Sequence, residues 1–376
     1  MYTVFCKEKN FNKFMEELKN LDQNPNILGL LIMSCDNNEY PEEDFNKCLK
    51  TLKTPVTGGI FPKILYKEKS YDEGYLIIGF EKNLRTFSLK NISKEETNFE
   101  EFLDGICELN EEEKTFLVFV DGFSKRITDF KDILYEYYGW SVDYIGGGAG
   151  SLSFLQKPVI ITNKGLLQDA VSISILSQPV MVGVAHGWKA ISKSFKVTSS
   201  NDNQVFEINN RPAFEVYKEI IEAISQHSFN KEDFFSIAKA YPFGIAKLSD
   251  EMIVVDPITK GDDNSITFVG EVPEGSYVYI LHGDVNSLLE GARDAKNQAY
   301  LRYFENDRDK KPPSSTFFID CISRVLFLGD NFDLEIKEIA TNDSEVFGAL
   351  TIGEIANKGE NSLEFYNKTS VVALFE

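Results

Sequence analysis

Short apolar, β-branched runs alternate along this chain with stretches whose apolar residues recur at helical spacing. YTVF is followed by FNKFMEELKNL, then ILGLLIMS, then a helix from Glu42 to Leu52 that Pro41 opens. The same order returns at FLVFVDGF followed by ITDFKDILYEYY, which Gly139 ends, and at TFFIDCIS after the helical SLLEGARDAKNQAYLRYF. Between these units lie pairs of strand-like runs joined by polar or glycine-bearing turns: KILYKEKSYDEGYLIIGF, PVIITNKGLLQDAVSISIL, MIVVDPITKGDDNSITFV and SLEFYNKTSVVALF. Glycines recur at strand ends near the pairs, at Thr57-Gly58-Gly59, Gly146 to Gly150, Phe243-Gly244-Ile245 and Gly353-Glu354-Ile355. The pattern predicts an α/β fold with mixed sheets, built from repeated strand–helix–strand–hairpin units in two similar halves. NNRPAFEVYKEIIEAISQH reads as a turn and a long helix, which sets the division near residue 210, into domains 1–210 and 211–376.

Composition narrows the function. The chain has 376 residues, of which 43% are hydrophobic, and carries a formal net charge of −20. That length supports roughly two or three domains with real cores. The acidic excess repels phosphate backbones and anionic lipid, so no nucleic-acid partner is expected. No apolar run approaches the roughly 20 residues of a membrane span, and the charged start MYTVFCKEKNFNKF is unlike a signal peptide. Cys6, Cys35, Cys48, Cys107 and Cys321 are odd in number and lack any CxxC, which points to a reduced, cytoplasmic protein without membrane insertion.

Chemical motifs are sparse. The glycines around Gly147 and Gly148 follow a strand but precede SLSF and LQKPVIITN rather than a helix, so they do not make a phosphate loop. They read instead as places where backbone approaches backbone or a ligand. His186, His227 and His282 are scattered, without neighbouring cysteines, so no metal site is expected. His186 lies in PVMVGVAHGWKA beside Trp188, and His282 in YVYILHGD repeats the strand-His-Gly arrangement; each reads either as a strand-ending histidine or as facing a cavity. No Gly-x-Ser-x-Gly elbow exists. Cys321, three residues before Arg324, reads as a nucleophile or as a small buried thiol. Glu354, in ALTIGEIAN, needs a partner such as Arg324, and that pair would suit a carboxylated or zwitterionic small molecule.

The series GGGAG, PVIITN, VGVAHGW, FKVTSSNDNQVFEINNRPAFEVY, ITFVGEVPEGSYVYIL, DCISR, FGALTIGEIAN and FYNKTSVVAL resembles, in order and spacing, the FIST family, which pairs an N-terminal with a C-terminal FIST domain. The resemblance implies a non-enzymatic sensory module for a small ligand, an amino acid or small carboxylate. With no effector in this sequence, it would signal in trans to a separate protein such as a histidine kinase or cyclic-dinucleotide enzyme. Some relatives look like haem-binding nitric-oxide sensors, in which case His186 is the favoured axial ligand; a Cys321-dependent transferase or hydrolase is the competing class. Carried over by motif, the ligand-binding positions are His186 and Trp188, Cys321 and Arg324, and Gly353 and Glu354, alongside Gly147 and Gly148. The N-terminal strand end reads TPVTGGIFPK and lacks the family's Thr-x-Gly-Glu, which alters that half's site or confines binding to the C-terminal half.

Overall fold

A computed structural model describes residues 1–106, 108–247, 252–305, 307, 309–341, 344–357 and 362–376; Cys107 lies outside the described residues. The first stretch of chain forms β1 (Tyr2–Cys6), α1 (Phe11–Asp22), β2 (Gly29–Cys35), α2 (Glu42–Thr51), β3 (Val56–Phe61), β4 (Lys63–Tyr66), β5 (Lys69–Tyr71) and β6 (Tyr75–Phe80). The second repeats the order as β7 (Leu84–Lys90), α3 (Phe99–Asp104), β8 (Thr115–Asp121), α4 (Ile127–Tyr138), β9 (Asp143–Ala149), β10 (Ile160–Thr162), β11 (Gly165–Leu167) and β12 (Ala170–Leu176). A third begins with β13 (Val180–Ala185) and is then interrupted. The interruption contains β14 (Lys189–Ala190), β15 (Phe195–Asn201), β16 (Gln204–Ile208), β17 (Arg211–Pro212), α5 (Ala213–Ile224), α6 (Phe234–Ala238), β18 (Phe243–Ala246), β19 (Met252–Lys260), β20 (Ile266–Val269) and β21 (Tyr277–His282). The third repeat resumes with α7 (Val285–Phe304), β22 (Ser315–Cys321), α8 (Ile322–Leu328), α9 (Phe332–Ile339), β23 (Glu345–Thr351), β24 (Glu354–Asn357), β25 (Leu363–Tyr366) and β26 (Ser370–Phe375).

The expected helices form, and their ends follow from local chemistry. Asn10 caps α1 by accepting from the Lys13 amide, and Gly139 takes a left-handed φ of 58° to stop α4. The α/β class with mixed sheets is what the pattern predicts. Below the level of two halves, however, the sheets repeat three times.

Three six-stranded sheets share one strand order: β1-β6-β2-β3-β10-β11, β7-β12-β8-β9-β24-β25 and β13-β26-β22-β23-β4-β5. In each, a central parallel pair is flanked by antiparallel strands. One glycine position repeats with them. Gly58, Gly146 and Gly348 sit opposite Ile32, Val118 and Phe318, and a Cβ on any of the three would fall on its partner's carbonyl oxygen. The recurrence expected at Gly244 belongs to a different, antiparallel strand, and Gly353 is a turn at φ 84°.

The outer hairpin of each sheet comes from another repeat. The first repeat lends β4–β5 to the third sheet, the third lends β24–β25 to the second, and the second lends β10–β11 to the first. The expected hairpins are therefore shifted by one strand. KILY pairs with Lys69–Tyr71, while YLIIGF returns to its own sheet; β25 pairs with β24, while β26 goes to β22. Of the four expected couples β19 and β20 pair as read, and in PVIITNKGLLQDAVSISIL the first run pairs with Gly165–Leu167 across the Asn163-Lys164 turn while AVSISIL goes to another sheet. The central core draws on all three sheets, through Met33 and Phe61, Leu117 and Ile145, and Phe317 and Phe347. The inserted segment builds an eight-stranded antiparallel sheet with its own core around Tyr217, Ile221 and Phe243. It leaves and rejoins the three-repeat body side by side, since Lys189 pairs with His282. Residue 210 lies within it.

Candidate functional site

The residues singled out from the sequence converge where the third repeat, its lent hairpin and the insert meet. β22 and β23 run parallel, so Cys321 lies opposite Thr351 at their carboxyl ends, where ligand crevices of open α/β sheets form. The chain then turns through Gly353 into β24, which places Glu354 opposite Gly147 in another sheet. The Gly148 amide donates to Gly353 O at 2.8 Å and the Ile352 amide to Gly148 O at 2.8 Å. At Gly147 a Cβ would meet Gly353 O and the Thr351 side chain, so the glycines serve close backbone approach.

Arg324 stands at the centre, fully buried. Its donors are all taken within the protein. Nε donates to Glu335 Oε1 at 2.9 Å, Nη1 to His186 O at 2.6 Å and Lys368 O at 3.0 Å, and Nη2 to Leu288 O at 2.9 Å and again to Glu335 Oε1. Asp320 Oδ1 lies 3.3 Å from Nε. The partner expected for Arg324 was Glu354. Instead Glu335 and Asp320 face the guanidinium, while Glu354 accepts from the Thr351 hydroxyl at 2.9 Å and the Thr369 amide at 3.3 Å. Ser370 Oγ joins the acids, 3.0 Å from Asp320 Oδ1 and 3.2 Å from Glu335 Oε1.

Three buried carboxyls therefore lie close together, of which Asp320 and Glu335 share the one guanidinium, so the cluster holds more acids than guanidinium charge to answer them. Among the described residues, Asp320 Oδ2 and Glu335 Oε2 have no hydrogen-bond partner, nor does the buried Trp188 Nε1. Burial, reinforced by Glu335, holds the Asp320 carboxyl well above its usual range. Burial also pulls Arg324 down, but Glu335 and Asp320 outweigh it and leave the guanidinium held more firmly protonated. Glu354 is pushed up to about 8, again chiefly by burial.

The sign of the resulting pH dependence is fixed. Glu354 in the folded protein keeps a proton that the unfolded chain releases above its ordinary value of 4.5. Its contribution to stability is complete at low pH, falls as pH rises from about 4.5 to about 8, and stays lost beyond. The span sets a ceiling of roughly 5 kcal/mol. Urea midpoints measured from pH 5 to 9 are expected to fall less steeply in Glu354→Gln than in the wild type, and identical slopes would show that Glu354 does not hold the proton.

Cys321 is buried with its sulfur 3.0 Å from Ser323 Oγ. Burial and the Glu354 carboxyl push the thiol far above its usual value, the reverse of what a nucleophilic thiolate needs. Lys368, on the turn between β25 and β26, pairs with Asp256 of the insert at 3.1 Å, donates to Lys239 O at 3.1 Å and lies 4.9 Å over the Trp188 ring. The site thus sits on the seam between the body and the insert.

The histidines test the haem reading. His186 Nδ1 accepts from the Trp188 amide at 3.0 Å, which puts the proton of the neutral ring on Nε2, the wrong tautomer for an Nε2 metal ligand. His282 Nδ1 faces Ala240 O at 3.1 Å, which leaves the lone pair on Nε2. On hydrogen-bonding grounds His282 fits an axial role and His186 does not. His227, against Glu232, lies apart. No group of three or more His, Cys, Asp or Glu among the described residues is arranged to hold a metal ion.

Glu335, Asp320, Lys368 and Asp256 escaped the sequence reading. The signal for the first was present, since Glu335 falls on the apolar stripe of α9 with Phe332, Ile336 and Ile339. Asp320 likewise interrupts an otherwise apolar strand.

A repeated α/β body and an inserted antiparallel module thus meet over a buried polar cluster. Residues 27–211 match the FIST N domain and residues 213–357 the FIST C domain, so the chain belongs to the FIST family. FIST domains are associated with small-ligand sensing in signal transduction and are sensory rather than catalytic. No curated protein is significantly similar to the chain. No helix among the described residues is long and apolar enough to cross a membrane.

Proposed function

We propose that this chain is a cytoplasmic sensor module that binds an amino acid at the seam cluster and passes the signal to an effector. The observation that carries the reading is the surplus of acids: Asp320, Glu335 and Glu354 are buried beside one saturated guanidinium, burial makes them keep protons that an ammonium would displace, and Asp320 Oδ2 and Glu335 Oε2 have no partner among the described residues. An ammonium group answers such a surplus, and the partnerless Trp188 N–H suits a carboxylate. A small carboxylate without an ammonium finds no spare donor on Arg324. Asp320 and Glu335, through their partnerless oxygens, would receive the ammonium with Glu354 beside them; Gly147, Gly148 and Gly353 let the strands close tightly around it; Arg324, which donates to the carbonyls of both His186 and Lys368, holds the turn that carries Lys368.

The cluster is sealed, so ligand enters only in a state where the Asn367–Thr369 turn has moved. That turn grips the insert through Lys368 and Asp256, so ligand that favours the open or closed state shifts the insert against the body. The insert's altered face would be what the effector reads.

A thermal-shift screen of amino acids against matched carboxylates tests the reading. One or a few amino acids are expected to raise Tm by mass action, and Glu354→Gln to abolish the rise. Carboxylates acting equally well, or Glu354→Gln retaining the response, would remove the site assignment. In the same preparation Cys321 is expected to alkylate no faster at pH 7 than an unperturbed thiol, which separates sensing from thiol catalysis.

A further inference from the structure

We propose that the cavity at the carboxyl ends of β2 and β3 is a second binding site, for a small organic amine. The three-fold repetition gives the argument. Counting from the last residues of the equivalent strands, Cys35, Asp121 and Cys321, the residue three positions on is Asn38, Ser124 or Arg324. In the third repeat the Arg324 guanidinium fills the crevice and answers the acids around it. In the second, Asp121 is occupied by the Asp169 amide at 2.8 Å and Gln156 Nε2 at 2.9 Å. In the first, Asn38 is too short to fill the space, and a cavity of about 140 Å³ remains. This is close to the ~150 Å³ cavities that accept benzene.

Its lining sets the ligand's chemistry. Asn38 is spent on Ser34 Oγ at 3.0 Å and on both backbone groups of Gly74, at 2.7 and 2.8 Å, and the Cys35 thiol on Tyr71 O at 3.3 Å. The Tyr40 hydroxyl is buried without a hydrogen-bond partner among the described residues. Asp36 is paired with Lys157, whereas Glu39 and Glu42 make no ion pair among the described residues, so the lining is net negative. Phe45, Ile60, Pro158 and Leu166 supply apolar wall. An ammonium against the acids and the phenol oxygen, with a short apolar tail among these side chains, restores what Arg324 provides within the third repeat.

A cover is built in. Residues 150–159 join β9 to β10, where residue 62 alone and residues 352–353 make the equivalent joins. Lys157 and Ser151 fasten this strap to Asp36, and Gln156 fastens it to Asp121, while Phe154 and Leu155 stand exposed at its tip.

Binding of n-butylammonium chloride to the full chain, followed by NMR shifts and by Tm, tests the proposal, with 1-butanol, sodium butyrate and sodium chloride at equal ionic strength as controls. Saturable shifts confined to the residues of this cavity are expected for the amine. Tyr40→Phe, which removes only the partnerless hydroxyl, is expected to weaken binding about tenfold. Glu42→Gln is expected to weaken it as well, and Glu354→Gln to leave it unchanged, which keeps this site distinct from the seam cluster. Equal binding of butanol or butyrate, no saturable binding by the wild type, or full affinity in Tyr40→Phe would each overturn the assignment.

Discussion

Neither 1–210 nor 211–376, expressed alone, is expected to show the cooperative unfolding of the whole chain. The reason is the closed ring of lent hairpins. The C-terminal piece lacks β13 and the β4–β5 hairpin, the two outer elements on either side of its six-stranded sheet, and it lacks the strands β14 to β16 of the insert's sheet. The N-terminal piece keeps one whole sheet but loses β24–β25 from the second, and its own β4–β5 has no sheet to join. The N-terminal piece exposes the face of the central core that Phe317, Phe347 and Val371 cover, and the C-terminal piece exposes those side chains themselves. Dispersed amide spectra and sigmoidal urea curves are expected for the full chain only, with the pieces aggregating or broadening and recovering when expressed together. Deleting residues 190–281 is a contrasting cut. Because Lys189 and His282 are paired neighbours, a short glycine link closes the gap, and the three-repeat body is expected to fold, with a lower Tm from the loss of the Lys368–Asp256 pair and of the packing of Ile253, Val254 and Leu281 against the body. Two sharp, independent transitions from the separated halves would show that the exchange does not couple them.

The contrast between these cuts marks where the sequence was legible. Helices and strands were, because α1, α4 and α7 carry their apolar spacing locally and α4 its stop at Gly139. Gly58 and Gly146 were visible as a recurring position. The partner of a strand was not: KILY and YLIIGF look like one hairpin because alternating apolar residues specify a half-buried strand without naming its neighbour. The insert was hidden for a similar reason, since β15 to β21 read as ordinary hairpins whether they extend a sheet or found a new one. At the site, Cys321, Arg324 and Glu354 were legible as polar residues in apolar surroundings, and they do lie together. Their pairing was not, because Glu335 is eleven residues from Arg324 and the carbonyls of His186 and Leu288 come from either end of the insert.

Arg324→Ala is expected to cost about 3–5 kcal/mol, the largest effect of any single substitution in the seam, because it strands buried charge rather than merely deleting contacts. Asp320 and Glu335 lose their counter-ion, and the carbonyls of His186, Leu288 and Lys368 lose a donor. Urea unfolding checks this, and pH gives the diagnostic. With the guanidinium gone, the buried carboxyls hold their protons still more strongly, so the variant is expected to recover part of its deficit toward pH 5 and to lose most above neutrality. Arg324→Lys keeps the charge but offers three donors from one nitrogen where the guanidinium spreads five, and it should fall between. Arg324→Met combined with Glu335→Leu removes both charges and is expected to regain much of the loss, which a purely steric account of Arg324 would not produce. The same logic governs any binding experiment at the seam. A ligand response lost in Arg324→Ala follows from the opened cluster whether or not the guanidinium meets ligand, whereas a response lost in Glu354→Gln at full stability reports on the site itself.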